Sequence, residues 1–160
     1  MTRTVVTRRM ALKGGMAMLA IWPLGAAAEG EAPRIHVVKD PGCGCCTSWI
    51  GHLRDNGFAV SFEDRDPVAL AAFKRAHGIP DALASCHTAI SGAYTIEGHV
   101  PAADIRRLLA ERPDAIGLSV PGMPYGSPGM GPESAREAYD VLLIRRDGGA
   151  EVFAQYPAAG

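Results

Sequence analysis

The sequence predicts an α/β fold in which helices cover a central sheet. The chain opens in the order strand, helix, strand, helix, and a pair of strands and a third helix follow. Glycine or proline marks the ends of most of these segments, as expected where regular structure stops. The 160 residues are enough for one domain with an ordinary hydrophobic core.

The elements can be placed from apolar periodicity and from signals at their ends. The predicted segments are strand 34–39, helix 47–56, strand 59–63, helix 66–77, strands 88–91 and 94–97, helix 102–111, and strands 139–145 and 151–156. Thr47 or Ser48 can cap the first helix. Asp66 and Pro67 open the second helix, and Pro113 ends the third.

Two segments extend this order toward the C-terminus. Residues 113–132 are rich in proline and glycine and are predicted to form a long loop, which in a compact domain is usually functional or disordered. Residues 139–145 and 151–156 flank an Asp-Gly-Gly turn and read as a hairpin. The earlier elements resemble thioredoxin in their order. We therefore expect a thioredoxin-like three-layer fold with an added Pro/Gly/Met loop and a C-terminal β-hairpin.

The first 28 residues have the features of an export signal. Basic residues that include Arg8 and Arg9 precede a short apolar stretch, and three alanines ending at Ala28 suit signal-peptide cleavage. The arginine pair resembles a twin-arginine signal, although Sec signals also carry such pairs. The apolar stretch is shorter than the roughly 20 residues of a membrane-spanning helix. We expect cleavage near Ala28 and a periplasmic domain over 29–160 with no stable membrane span.

The charge of the mature segment excludes some partners. From Glu29 onward there are 12 Lys and Arg against 17 Asp and Glu, a net charge of −5. A mildly acidic domain without a basic block does not suggest a nucleic-acid partner. Cations remain the natural partners of such a domain.

The four cysteines are the most informative residues. Cys43, Cys45 and Cys46 lie within four residues at the predicted junction of strand and helix, where a helix N-terminus stabilises thiolates. Gly44 removes the Cβ that would hinder this tight turn. Cys86 enters the third strand, which a thioredoxin-like order places opposite the first turn. Thiolates gathered in this way bind soft metals such as Cu(I).

Other readings of the cysteines remain open. Cys43 and Cys46 have the Cys-x-x-Cys spacing of a thiol-disulfide oxidoreductase, in which Cys43 would attack and Cys46 would resolve. A third thiol at Cys45 would invite unwanted disulfides in such an enzyme. Cys86 and His87 also replace the cis-proline usual in thioredoxins. A disulfide from Cys43 or Cys46 to Cys86, or a zinc site, are further alternatives.

Two histidines are candidate metal ligands. His87 adjoins Cys86, but neighbours on a strand point to opposite faces, so both can bind one ion only if the backbone bends. His99 lies in the turn after the predicted strand pair. The remaining histidines are read as surface or hydrogen-bonded structural residues: His36, His52 and His77.

Two methionines complete the candidate set. Met123 and Met130 are the only methionines after the export signal, and each ends a Pro-Gly-Met triplet in the predicted loop. A thioether is a soft ligand that favours Cu(I) and retains this property where thiols are oxidised. We therefore include both methionines among the possible ligands.

Several separated motifs together resemble those of the CopG-type copper-resistance proteins, periplasmic metal-binding proteins long classed as a domain of unknown function. The matching segments are 41–46, 85–88, 97–101, 120–124 and 127–130. The resemblance implies a thioredoxin-like fold, copper binding through the cysteines, a role in copper resistance, and several copper ions that share thiolates. Other periplasmic copper-handling proteins are implied as partners.

The residues and the resemblance lead to one main expectation. The protein is expected to be an exported copper-binding protein that binds Cu(I) through cysteine thiolates and can also pass to Cu(II). The expected metal ligands are Cys43, Cys45, Cys46, Cys86, His87, His99, Met123 and Met130. The alternative is a periplasmic thiol-disulfide oxidoreductase that uses Cys43 and Cys46.

Overall fold

The computed structural model describes residues 31–160, and the export signal expected over 1–28 lies outside these residues. The strands are β1 Arg34–Lys39, β2 Ala59–Asp64, β3 His87–Ser91, β4 Tyr94–Glu97, β5 Ala115–Ser119, β6 Tyr139–Arg145 and β7 Ala150–Tyr156. The helices are α1 Gly44–Asp55, α2 Pro67–Ala76 and α3 Ala102–Glu111. Over the described part of the chain, no helix has both the length and the apolar character needed to cross a bilayer.

All seven strands form one sheet in the order β2-β1-β3-β4-β5-β6-β7. The β1–β2 and β4–β5 pairs are parallel, and the other neighbours are antiparallel. The first four strands and the three helices have the connectivity expected for a thioredoxin-like fold. The predicted α/β class is confirmed.

The helices cover both faces of the sheet. Side chains of α1 and α3 pack with Val37, Ala89 and Ile96 on one face. The alternate strand positions face α2, whose Lys74 contacts Thr88 on β3. The fold therefore has three layers. Because β1 and β3 are antiparallel, the residues that follow β1 and those that precede β3 meet at the same end of the sheet.

Trp49 is the largest fully buried side chain in the core between α1 and the sheet. Its indole N–H donates to the carbonyl of Val100 at 2.9 Å, which satisfies the polar atom of an otherwise apolar residue. Leu53 on α1 and Ile105 and Leu108 on α3 complete this layer without measurable exposure. The core thus fixes α1, and with it the cysteine turn, against the sheet.

The prediction of an uninterrupted loop over 113–132 is wrong, because this segment contains β5. Gly117 made the segment look unlike a strand, since glycine weakens strands in general. Here it is required: a Cβ at this position would lie 1.6 Å from the carbonyl oxygen of Thr95. By pairing with β4 and β6, β5 joins the predicted C-terminal hairpin to the rest of the sheet.

The predicted cap of the first helix is also wrong. Helix α1 begins at Gly44, and Cys43 is its N-cap, with Cys43 Sγ accepting a bond from the Cys46 amide. The hydroxyls of Thr47 and Ser48 instead donate to carbonyls one turn earlier in the helix. The other predicted elements agree with the structure closely, and the helix after Asp66 is capped by that carboxylate as expected.

Candidate metal centre

The tricysteine turn lies at the N-terminus of α1. Cys43 is bonded to Cys46 in a disulfide, whereas Cys45 and Cys86 are free thiols. Cys43 and Cys45 are half-buried, and Cys46 is fully buried. The disulfide to Cys86 considered from the sequence is not formed, because the two sulfurs at Cys-x-x-Cys spacing already bond to each other.

Cys86, directly before β3, lies beside the tricysteine turn. Its Sγ lies 4.0 Å from Cys45 Sγ, and Cys45 Sγ lies 3.4 Å from Cys43 Sγ. All four cysteine sulfurs lie within 4.8 Å of one another. We call these four residues the sulfur cluster: Cys43, Cys45, Cys46 and Cys86.

Two imidazoles lie beside the sulfur cluster and share Cys86 with it. Cys86 Sγ is 3.1 Å from His99 Nε2 and 3.2 Å from His87 Nδ1. The backbone bend that Cys86 and His87 need in order to reach one ion is present. Cys86 lies in a bend before β3, which begins at His87, so strand alternation does not apply to this pair. Cys86, His87 and His99 therefore form a second group of possible ligands.

The surroundings orient His99 for this contact. His99 Nδ1 lies 2.7 Å from the carbonyl of Pro128, an acceptor only, so this nitrogen carries the proton. The lone pair of Nε2 is then directed at Cys86. A carbonyl that fixes the tautomer of a histidine in this way is typical of metal-binding histidines.

His87 is completely buried at the same place. Its ring centroid lies 4.3 Å from that of Trp49 and 5.0 Å from that of His99. Its Nε2 is buried and has no hydrogen-bond partner within residues 31–160. A buried polar atom left in this state is uncommon in folded proteins.

Burial sets the protonation states at the centre. It raises the pKa of the Cys86 thiol to about 12, and the neighbouring Cys45 adds to this rise. Burial also lowers the pKa of His87 and of His99, so both imidazoles are neutral at pH 7. The metal-free centre therefore contains a protonated Cys86 and neutral imidazoles, and a bound cation would replace the thiol proton.

The Pro-Gly-Met loop (residues 121–131) closes over the N-terminus of α1. Gly129 approaches the helix so closely that a Cβ would lie 2.7 Å from the amide nitrogen of Trp49. Gly122 pairs with Ser85, next to Cys86, in an isolated bridge. Met123 follows that bridge and is 54 % exposed, whereas Met130 is half-buried. The loop thus brings the backbone next to each methionine close to one of the two cysteine segments.

A buried polar network, which the sequence analysis did not identify, holds the Cys86 segment. The carboxylate of Glu97 accepts bonds from the Lys74 ammonium, the Ser85 amide and the Thr88 hydroxyl. Its only sequence signal was that Glu97 begins the Glu-Gly-His motif at 97–99. Trp49 beside His87 was also missed, because its position suggested only a core residue.

The three histidines outside the centre make ordinary structural contacts. His36 Nδ1 pairs with the Ser61 hydroxyl, and His52 Nε2 accepts from the Ala102 amide. His77 Nδ1 bonds to the carbonyl of Phe73 one helical turn earlier.

The donor set is of the kind that soft metal ions prefer. Four sulfurs and two neutral imidazole nitrogens are soft or borderline ligands, and the group contains no carboxylate. Two of the sulfurs are available only when the Cys43–Cys46 disulfide is reduced, since a metal binds the thiolate. The reduced centre therefore offers more thiolate ligands to a metal ion than the oxidised centre does.

Comparisons with known proteins find copper resistance proteins among the structures similar to this chain. Two solved structures, "Copper resistance protein copG- Form 1" and "Copper resistance protein copG- Form 2", are 45 % and 46 % identical to the chain, with TM-scores of 0.74 and 0.73. They align with 80 % and 79 % of this chain and with 100 % of their own. Residues 83–130 match the family described as "Protein of unknown function, DUF411". No curated protein matches.

Proposed function

Because this chain belongs to the family of the copG copper resistance proteins, we propose that it is an exported copper-binding protein that binds Cu(I) through its cysteine thiolates. The observation that carries the proposal is the convergence of four sulfurs and two imidazoles around Cys86. Cys86 belongs to both ligand groups, so it would supply a ligand to copper held by the sulfur cluster and to copper held by the histidines. Two such groups would allow more than one copper ion per chain, as the resemblance to the family implies.

The chain's own residues prepare the centre in three ways. Cys43 caps the N-terminus of α1 and so gathers the three cysteines of the turn at one end of the helix. The carbonyl of Pro128 directs His99 Nε2 at Cys86. The Pro-Gly-Met loop covers the end of α1 and supplies Met123 and Met130 as additional soft donors at its rim. Copper bound there could cycle between Cu(I) and Cu(II), because sulfur and imidazole ligands suit both states.

The site and the family together also suggest the setting. An export signal over residues 1–28 would place the domain in the periplasm, where other copper-handling proteins could deliver or receive the metal. The acidic net charge of the mature segment suits a cationic cargo.

A copper titration tests this function. Purified full-length protein is reduced, stripped of metal and made to compete with a Cu(I) chelator that buffers the free ion below micromolar concentration. We expect retention of more than one copper per chain and protection of all four thiols from a thiol reagent. The variant His36→Gln, altered outside the centre, should behave like the wild type. Failure of the wild type to compete would refute the proposal.

The Cys43–Cys46 disulfide supports a second candidate, a thiol-disulfide oxidoreductase. Cys43 is half-buried at the helix N-terminus, a position that suits an attacking thiolate. This function predicts turnover of a disulfide substrate by the metal-free protein and retained activity in Cys86→Ser. No turnover by the wild type under these conditions would exclude it.

A further inference from the structure

Glu97 at the end of β4 is fully buried on the α2 side of the sheet. Its Oε1 accepts from Lys74 Nζ at 2.5 Å and from the Ser85 amide at 2.6 Å, and its Oε2 accepts from the Thr88 hydroxyl at 2.7 Å. Lys74 Nζ also donates to the Thr88 hydroxyl at 3.0 Å. The carboxylate thus has three donors, and its charge is paired.

Stability alone gives little reason for this ion pair. Removing two charges from water is costly, and an apolar pair of similar volume is often as stable or more stable. A buried pair of this kind is better explained when it fixes a particular arrangement. The donor that lies outside the α2–sheet packing is the amide of Ser85, which is part of the segment leading into Cys86.

The two chain segments that Glu97 joins are the segments that supply Cys86 and His99. Ser85 directly precedes Cys86, and Glu97 lies two residues before His99. The Gly98 amide donates to the carbonyl of His87 at 3.0 Å, which ties the same segments a second time. The contact between Cys86 Sγ and His99 Nε2 at 3.1 Å spans these segments. Its length therefore depends on how firmly they are held together.

We propose that Glu97 is a positioning residue. Through its hydrogen bond to the Ser85 amide it holds Cys86 Sγ and His99 Nε2 close enough to serve one metal centre, and Lys74 is its counter-charge. This inference rests on the proposed function, since the distance matters only if the two side chains serve one centre. Glu97 bonds to Lys74, Ser85 and Thr88 and belongs to neither group of possible ligands.

Two matched double variants test the inference: Lys74→Met/Glu97→Gln and Lys74→Met/Glu97→Leu. Both remove the ion pair, but only the glutamine keeps an oxygen that can accept from the Ser85 amide. We expect the leucine variant to bind Cu(I) about 10- to 100-fold more weakly than the glutamine variant, the range found when residues that orient metal ligands are changed. The glutamine variant should stay within about threefold of the wild type.

Each pair is also made in a Cys86→Ser background. If Glu97 acts through Cys86, the difference between glutamine and leucine disappears there, because double-mutant cycles isolate coupling between two positions. A general structural role would leave the difference unchanged and would overturn the inference. Asp104→Asn is the control for loss of a buried carboxylate elsewhere, since Asp104 accepts from the Tyr156 hydroxyl at 2.6 Å on α3; it should not alter Cu(I) binding.

A measurement without copper separates this inference from the proposed function. In reduced, metal-free protein, the leucine variant should expose Cys86 and increase its labelling by a thiol reagent at least about tenfold over the glutamine variant, with Cys45 unchanged. Equal labelling of Cys86 in both variants overturns the inference even if the wild type binds copper. If the leucine variant does not fold, Glu97→Asp, whose shorter side chain retracts from Ser85, is measured against the wild type by the same criteria.

Discussion

The two cysteine-bearing segments meet at one centre but are built in different ways. The tricysteine turn is local: Cys43 caps α1, bonds to Cys46, and is followed by a helix of ordinary geometry. The Cys86 segment is held from a distance, by Glu97 on β4, by Gly122 in the Pro-Gly-Met loop and by the helix residue Lys74. One segment would form wherever its helix forms, whereas the other exists only in the complete fold.

This difference is visible in the space around Gly44, which lies in the tricysteine turn, and around Gly98, which packs against the Cys86 segment at Ser85. A Cβ on Gly44 would meet no other atom within 4 Å, so the expectation that a side chain there would hinder the tricysteine turn is wrong. A Cβ on Gly98 would lie 2.5 Å from the hydroxyl oxygen of Ser85 and 2.6 Å from the carbonyl of Val120, and Gly98 has a φ of +72°. We therefore expect added side-chain atoms to be tolerated in the tricysteine turn and to be destabilising where the chain packs against the Cys86 segment.

The largest expected effect comes from adding that Cβ. Gly98→Ala should lower the free energy of unfolding by about 2–5 kcal/mol. Overpacking costs about 1–3 kcal/mol, and a left-handed backbone at a residue other than glycine costs about 1–2 kcal/mol. Gly44→Ala should be neutral or stabilising by up to about 1 kcal/mol, since alanine favours helix. Urea denaturation of the reduced proteins measures both. Equal stability of the two variants would contradict the contrast between the segments.

Loss of the shared thiol should produce the next largest effect. Cys86→Ser removes a ligand from both groups, whereas Cys45→Ser removes one from the sulfur cluster alone. We expect Cys86→Ser to weaken Cu(I) binding about 100-fold, or about 2.7 kcal/mol, and Cys45→Ser about tenfold. Chelator competition with the reduced proteins measures both losses. The reverse order would show that the local turn, rather than Cys86, dominates the affinity.

Thiol reactivity should separate the segments without any metal. Burial raises the pKa of Cys86 to about 12, so at pH 8 only a small fraction is thiolate. Labelling of Cys86 in reduced protein should be at least about tenfold slower than labelling of Cys45 at pH 8. Its rate should still rise by about tenfold per pH unit up to pH 10, because the thiolate fraction grows in this way below the pKa. Mass spectrometry of the labelled peptides over time measures the rates. A labelling rate for Cys86 that reaches a plateau below pH 9 would contradict its raised pKa.

The smallest effect on Cu(I) affinity is expected from the two methionines of the Pro-Gly-Met loop. The double variant Met123→Leu/Met130→Leu keeps the apolar volume of the Pro-Gly-Met loop and its carbonyl contact to His99, and removes only the thioethers. We expect Cu(I) affinity to fall by about threefold, less than 1 kcal/mol. A loss as large as that of Cys86→Ser would instead make the methionines principal ligands. The Tm of the metal-free variant serves as the control for folding.

The local segment was largely predictable from the sequence. For the distant one, the approach of Cys86 to the tricysteine turn was expected and is confirmed, but the contacts that hold it there were not predictable. Strand β1, the start of a helix at the cysteines and the thioredoxin-like order follow from periodicity and end signals. The wrong cap for α1 was an error of one turn. Strand β5 was missed because Gly117 reads as a strand breaker until the close carbonyl of Thr95 is seen.

The sequence by itself determined which donors the protein possesses: a tricysteine turn, a separate cysteine with an adjacent histidine, and a second histidine in a turn. Only the tertiary structure decided that Cys43 bonds to Cys46, that Cys86 and His87 approach each other in a bend, and that Glu97 ties their segment to that of His99. The physical reason is the range of the interactions. Helix caps and strand periods depend on residues within a turn of one another, whereas the distance between sulfurs 41 positions apart depends on the pairing of the sheet.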